Sequence, residues 1–240
     1  MTTIQIETAV FAIFFLAALV QCISGFGSAL VAMAFLPALI GLHTAAPLFA
    51  ICAIPMEVVL LIRFREELTL REIWRVVLAS FVGVPFGVVL VKFVSERIAL
   101  SVLGAALIGY SVYALMGKRL PRSDHFSLPW LAGLMGGMLG GAYNTGGPPI
   151  VLYADTQAWE PERFKSNLQG YFVVSSALIV FGHAIAGNIQ PDVIGWLPNA
   201  IAAIMAGLLA GALLDKRIPP LMFRRIVLVM LIVMGLVNLL

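Results

Sequence analysis

The chain alternates long apolar runs with short polar connections. The runs fall at Thr8–Ser24, Ser28–Leu42, Ala45–Ile62, Val76–Val91, Ile98–Met116, Pro129–Ala142, Pro148–Ala154, Leu168–Gly187, Val193–Leu214 and Met222–Leu240. About 20 helical residues cross roughly 30 Å of hydrocarbon. Six of the runs come close to that length. The other four form two pairs, each split by a break, at Gly25-Phe26-Gly27-Ser28 and at Asn144-Thr145-Gly146-Gly147-Pro148-Pro149. Glycine adds backbone entropy, proline removes a donor, and both stop a helix. The pattern predicts an all-α chain with two broken helical hairpins and six longer helices.

Composition makes the solvent of this fold lipid. Hydrophobic residues make up 61% of the chain and charged ones 11%, with a mean hydropathy of +1.03. A soluble domain of this size needs far more charge on its surface. The net charge of +3 does not point to nucleic acid, because no basic patch is interleaved with aromatics. Cys22 and Cys52 lie in apolar runs and read as small buried hydrophobes. No basic segment precedes the first apolar run, so a cleaved signal peptide is not expected. The expected location is a cell membrane, crossed many times, with the bacterial cytoplasmic membrane as the setting.

The basic residues then decide the threading. All fifteen Lys and Arg lie outside the apolar interiors. They group as Arg63, Arg65, Arg71 and Arg75; Lys118, Arg119 and Arg122; Arg163 and Lys165; and Lys216, Arg217, Arg224 and Arg225. If each broken pair goes in and comes back, these thirteen become cytoplasmic and only Lys92 and Arg97 face out, as the positive-inside rule asks. Each half is then a broken hairpin followed by three transmembrane helices. An odd number of spans inverts the second half relative to the first. The expected division is residues 1–117, a cytoplasmic linker at 118–128, and residues 129–240. Whether the hairpins cross fully or re-enter is left open by the pattern.

Internal similarity agrees with duplication. Gly83-x-x-x-Gly87-x-x-Leu90-x-Lys92 recurs as Gly207-x-x-x-Gly211-x-x-Leu214-x-Lys216, and the breaks recur at a shift of about 120. Gly-x-x-x-Gly alone is a common packing device. Joined to matching span order and matching breaks, it has the mark of an inverted-repeat secondary transporter.

Three stretches carry a family resemblance: Gly25-Phe26-Gly27-Ser28-Ala29-Leu30 with Pro37, the Gly133–Gly141 run leading into Gly146-Gly147-Pro148-Pro149, and Gly207–Arg217 with Pro219-Pro220. In order and spacing, the chain resembles the TauE/SafE family of sulfite and sulfonate exporters, also called the toluene-sulfonate uptake permeases. The resemblance implies movement of sulfite, sulfonates or similar small anions, driven by an ion gradient.

A helix broken inside a membrane exposes N–H groups without intrahelical carbonyls. Such groups are tolerated there only when protein, water or a ligand pairs with them. The positive end of a half-helix favours an anion, and glycine lets it approach the backbone. Gly25, Gly27 and Ser28 in the first break, and Asn144, Thr145, Gly146 and Gly147 in the second, are therefore the candidate substrate-binding residues. Gln21 and Gln169 lie close enough in sequence to reach the same cavity. Glu57 is the one carboxylate well inside an apolar run, and intramembrane acids often carry protons. Each has a blander reading, as tight turns, interhelical glue or a snorkelling side chain. His43 and His183 have no second ligand at helical spacing, so no metal or cofactor is expected. Ser175-Ser176 with His183 offers no catalytic geometry, and an enzyme is not expected. The expected partners are a small anion and the lipid bilayer, and a homo-oligomer is compatible with such a chain. The competing reading, a transporter or channel for another solute or a cation, would call for more acids along the spans.

Overall fold

Glycine and proline set where the helices stop. The computed structural model describes residues 2–117 and 121–214, and beyond them Leu228, Val229, residues 231–233, Gly235, Leu236 and Leu239. Lys118 and Arg119, the basic cluster Lys216, Arg217, Arg224 and Arg225, the Pro219-Pro220 pair and most of the Met222–Leu240 run lie outside the described residues. The helices are α1 (Thr3–Ser24), α2 (Ser28–Ile40), α3 (Leu42–Phe64), α4 (Leu70–Phe93), α5 (Glu96–Leu115), α6 (Ser127–Tyr143), α7 (Gly147–Gln157), α8 (Pro161–Ile185) and α9 (Pro191–Leu214). A single 3-10 turn at Arg65–Glu67 follows α3, and no strand occurs among the described residues. Five helices, α1, α3, α4, α8 and α9, are long and apolar enough to cross a bilayer. The chain is a multi-pass membrane protein.

Both expected breaks coincide with helix ends: α1 stops at Ser24 and α2 starts at Ser28, α6 stops at Tyr143 and α7 starts at Gly147. One connector is shorter than expected. Between the Pro148–Ala154 and Leu168–Gly187 runs, α7 continues to Gln157 and α8 already begins at Pro161. Proline at the first helical position loses no needed donor, and Glu162 beside it suits the positive end of the helix. Trp159, in the short turn that remains, packs edge-on against Tyr153 with ring centroids 5.8 Å apart.

Helix boundaries recur along the chain. The α1 end Ser24 and the α2 and α3 starts, Ser28 and Leu42, reappear 119 positions later at Tyr143, Gly147 and Pro161. The α4 start, Leu70, reappears 121 positions later at Pro191. Packing follows the same correspondence. Helix α4 lies against α6, α1 lies against α9, and α3 packs on α8.

Close approach of backbones holds these pairs. Gly83 and Gly87 of α4 lie on α6, where a Cβ at Gly87 would run into the Met138 carbonyl. Gly207 and Gly211 of α9 lie on α1, where a Cβ at Gly207 would run into the Phe15 carbonyl. Apolar burial drives no association between helices in lipid, so the stabilisation comes from dispersion across such tight seams. The opposite stripe of α4, with Leu78, Phe81, Val82, Phe86 and Val89, is exposed and fits lipid. Cys22 and Cys52 are both buried and unbridged.

Candidate functional site

The two breaks meet at one cavity of about 490 Å³, counting its mouth. Gln21 and Glu57 line it, with Gly27 and Ser28 from the first break. Asn144, Thr145, Gly146 and Gly147 line it from the second. Gly25 and Gln169 lie behind its wall instead.

The first break is built around positive-φ glycines. Gly25 closes α1 in the left-handed conformation, with φ of 82°, and its N–H donates to the Gln21 carbonyl at 2.8 Å. Gly27 opens α2 with φ of 103° and offers no side-chain cap. That role passes to Gln21, whose Oε1 accepts from the Ser28 N–H at 3.1 Å. Gln169 reaches in from α8, and its Nε2 donates to the Gly25 carbonyl at 2.6 Å. Gln21 Nε2 in turn donates to Gln169 Oε1 at 3.4 Å. Gln169 is fully buried and is not among the residues lining the cavity, so it braces the break. After Ser28, the next N–H groups of α2 belong to Ala29 and Leu30. The first donor back into the helix is Val31, to the Gly27 carbonyl at 3.0 Å. Ala29 and Leu30 both line the cavity.

The second break is built differently. Asn144 closes α6 at φ of 57°, a conformation asparagine tolerates better than most side chains. Its Nδ2 donates to the Ala46 carbonyl of α3 at 2.8 Å, so this amide is partly used in fixing the turn. Gly146 is a packing glycine, because a Cβ there would run into the Gly136 carbonyl. Gly147 has only ordinary neighbours, with Phe172 at 3.7 Å and Phe26 at 3.9 Å from a built Cβ. Pro148 and Pro149 carry no N–H, which leaves Gly147 and Ile150 as the first donors of α7.

Several buried polar groups point to what the cavity holds. Thr145 is 1% exposed, and its hydroxyl has no hydrogen-bond partner. Glu57 is 5% exposed; Ser176 Oγ donates to its Oε1 at 3.0 Å, and its Oε2 has no partner. Buried polar atoms are nearly always paired, so two orphans lining one cavity suggest a ligand or water among them. Among the described residues, no Lys, Arg or His lines it.

Sequence reading missed Tyr171 and weighed Ser175 and Ser176 only as a rejected catalytic candidate, yet all three line the cavity. The available signal was a tandem serine inside an apolar helix. Ser176 stands 119 positions after Glu57, the same shift that relates the helix ends. The ring of Phe26, inside the first break, also lines the cavity and packs edge-on against Tyr110 and Phe164.

A family model described as Sulfite exporter TauE/SafE matches residues 10–237. The protein named "Probable sulfite/organosulfonate exporter TauE" of Cupriavidus necator is 27% identical over 156 residues. That match covers 61% of this chain and 59% of the relative, so the chain spans under two thirds of the relative's length. No solved structure matches.

The bracing role of Gln169 has a direct consequence. Gln169→Leu should lower stability by about 1–3 kcal/mol, the cost of leaving the buried Gly25 carbonyl unpaired. Thermal unfolding of the purified protein in detergent measures this. A variant as stable as the parent would show that the first break does not depend on this bond.

Proposed function

The chain belongs to the TauE/SafE family of sulfite exporters, and we propose that it is a secondary transporter for a small oxyanion, such as sulfite or an organosulfonate. The anion binds between the two helix breaks. The observation that carries this reading is that the N-termini of α2 and α7 open onto one cavity, beside the orphan hydroxyl of Thr145. Helix N-termini present free N–H groups and a positive partial charge. Such a site holds an anion by dipoles, which agrees with a lining free of basic side chains. Ser28, Thr145 and the N–H groups of Ala29, Leu30 and Gly147 supply donors; Gly25, Gln21 and Gln169 hold the first break open, while Asn144 and Gly146 shape the second. Glu57 is the proton carrier.

Alternating access comes from two inverted repeats, residues 1–117 and 129–240 joined by the 118–128 linker. The recurrence of helix ends and the matched pairing of α4 with α6 and α1 with α9 support this reading. Gly83-x-x-x-Gly87 and Gly207-x-x-x-Gly211 seal those two seams, so the repeated motif serves packing within the duplication.

Binding tests the site. Thr145→Val keeps the shape and removes one neutral donor, which should weaken binding of sulfite or methanesulfonate by a few-fold to about tenfold, or 0.5–1.5 kcal/mol. Gly147→Leu, whose Cβ finds ordinary space, should fill the cavity and abolish binding in a folded protein. Gly146 is unsuitable for this purpose, since its substitution breaks packing first. Titration calorimetry on the folded variants decides the matter, and parental affinity in both would place the anion elsewhere.

Topology tests the repeat. Cysteine at Asp124, between α5 and α6, and at Gln190, between α8 and α9, should label from opposite sides of the membrane. Both positions are exposed, and the native cysteines are buried and add little background. Labelling of both from the same side would rule out the inverted arrangement.

A further inference from the structure

We propose that Glu57 is neutral whenever an anion occupies the cavity. The transporter then moves one singly charged oxyanion together with one proton and excludes dianions. This rests on the anion-site reading above and adds the charge state of its substrate.

Charge counting around the cavity leads there. A helix N-terminus is equivalent to roughly half a positive charge, so α2 and α7 together offer about one. Among the described residues, Glu57 is the one carboxylate in the lining, and no cationic side chain lines it. The cations of the nearest helices, His43 and Arg63 of α3 and Arg163, Lys165 and His183 of α8, do not line the cavity. Helix α2 has no titratable residue, and α9 has only Asp192, in its first turn. Helix α8 presents Tyr171, Ser175 and Ser176, and α1 presents Gln21. Tyr171 is the only other titratable side chain lining the cavity. The site therefore balances one negative charge at a time. Without substrate, at the alkaline end of the working range, that charge is the Glu57 carboxylate. With substrate, it is the anion, since two like charges in a low-dielectric space with no cation repel strongly.

The geometry of the carboxyl suits this exchange. Ser176 Oγ fixes Oε1 at 3.0 Å, while Oε2 is buried without a partner. Protonated there, Glu57 gains a donor to aim at an anion oxygen, beside Thr145. The proton comes from the water that admits the anion and returns to water where the anion leaves. No covalent bond of the substrate changes, and no net charge crosses the membrane. Hydrogen sulfite and alkylsulfonates fit this rule; sulfate and dianionic sulfite do not.

Methanesulfonate is the probe, because its single charge is fixed across the working pH range and any proton bound must come from the protein. Calorimetric titration in sodium-free buffers of differing ionisation heat reads that proton directly. The expected result is uptake of about one proton per methanesulfonate at the alkaline end of pH 6–9, fading as pH falls. Affinity should drop towards about tenfold per pH unit at that end. Glu57→Gln, a neutral donor of the same shape, should bind without proton uptake and with flat pH dependence. Sulfate should bind the parent at least about a hundredfold more weakly, the count expected when a second charge goes unbalanced. Methanesulfonate binding without proton uptake at every pH, or binding that requires sodium, overturns the role of Glu57 alone. Failure of the parent to bind methanesulfonate or sulfite at all would remove the anion site itself. The parent's proton uptake stands as a test even if Glu57→Gln fails to fold.

Discussion

A backbone N–H inside a membrane has no water to turn to, and the architecture of this protein depends on how it meets that constraint. Continuous helices satisfy it internally, as α3, α4, α8 and α9 do. The two interrupted hairpins do not, and each is stitched at its break by outside groups. Gln21 caps Ser28, Gln169 caps the Gly25 carbonyl, and Asn144 reaches the Ala46 carbonyl. Each of these contacts joins different helices, so the breaks double as fastening points. The donors left over, at Ala29, Leu30 and the start of α7, lie at one cavity.

Small residues make this arrangement compact enough to persist. The α4–α6 and α1–α9 seams bring backbone against backbone, with glycine wherever a Cβ would strike a carbonyl. Helices α3 and α8 pack together, and the contact carries the hydrogen bond from Ser176 to Glu57.

The positions of the breaks were legible in the sequence because glycine and proline act locally. Gly25, Gly27 and the Gly147-Pro148-Pro149 start announce themselves without any knowledge of neighbours. Gln21 and Glu57 were legible as polar residues in apolar helices. Their partners were not, because Ser28 is held within its own hairpin while Gln169 and Ser176 arrive from 148 and 119 positions away. Gln169 illustrates the limit. Its proximity to the break could be inferred, but its absence from the cavity lining depends on how α8 packs. Asn144 and Gly146 show a second limit, since residues that suit a ligand by type are here also committed to capping and packing. The α7–α8 connector was overestimated because its polar composition hid a proline-started helix.

The account centres on an anion held between the starts of α2 and α7. The most direct measurement is a structure of the protein soaked with bromomethanesulfonate, located by the anomalous scattering of bromine. The account predicts bromine density inside the cavity, with the sulfonate within hydrogen-bond reach of Thr145 Oγ1 and the Ala29 and Leu30 N–H groups. Bromine density at another location, with this cavity unoccupied at saturating ligand, would contradict it.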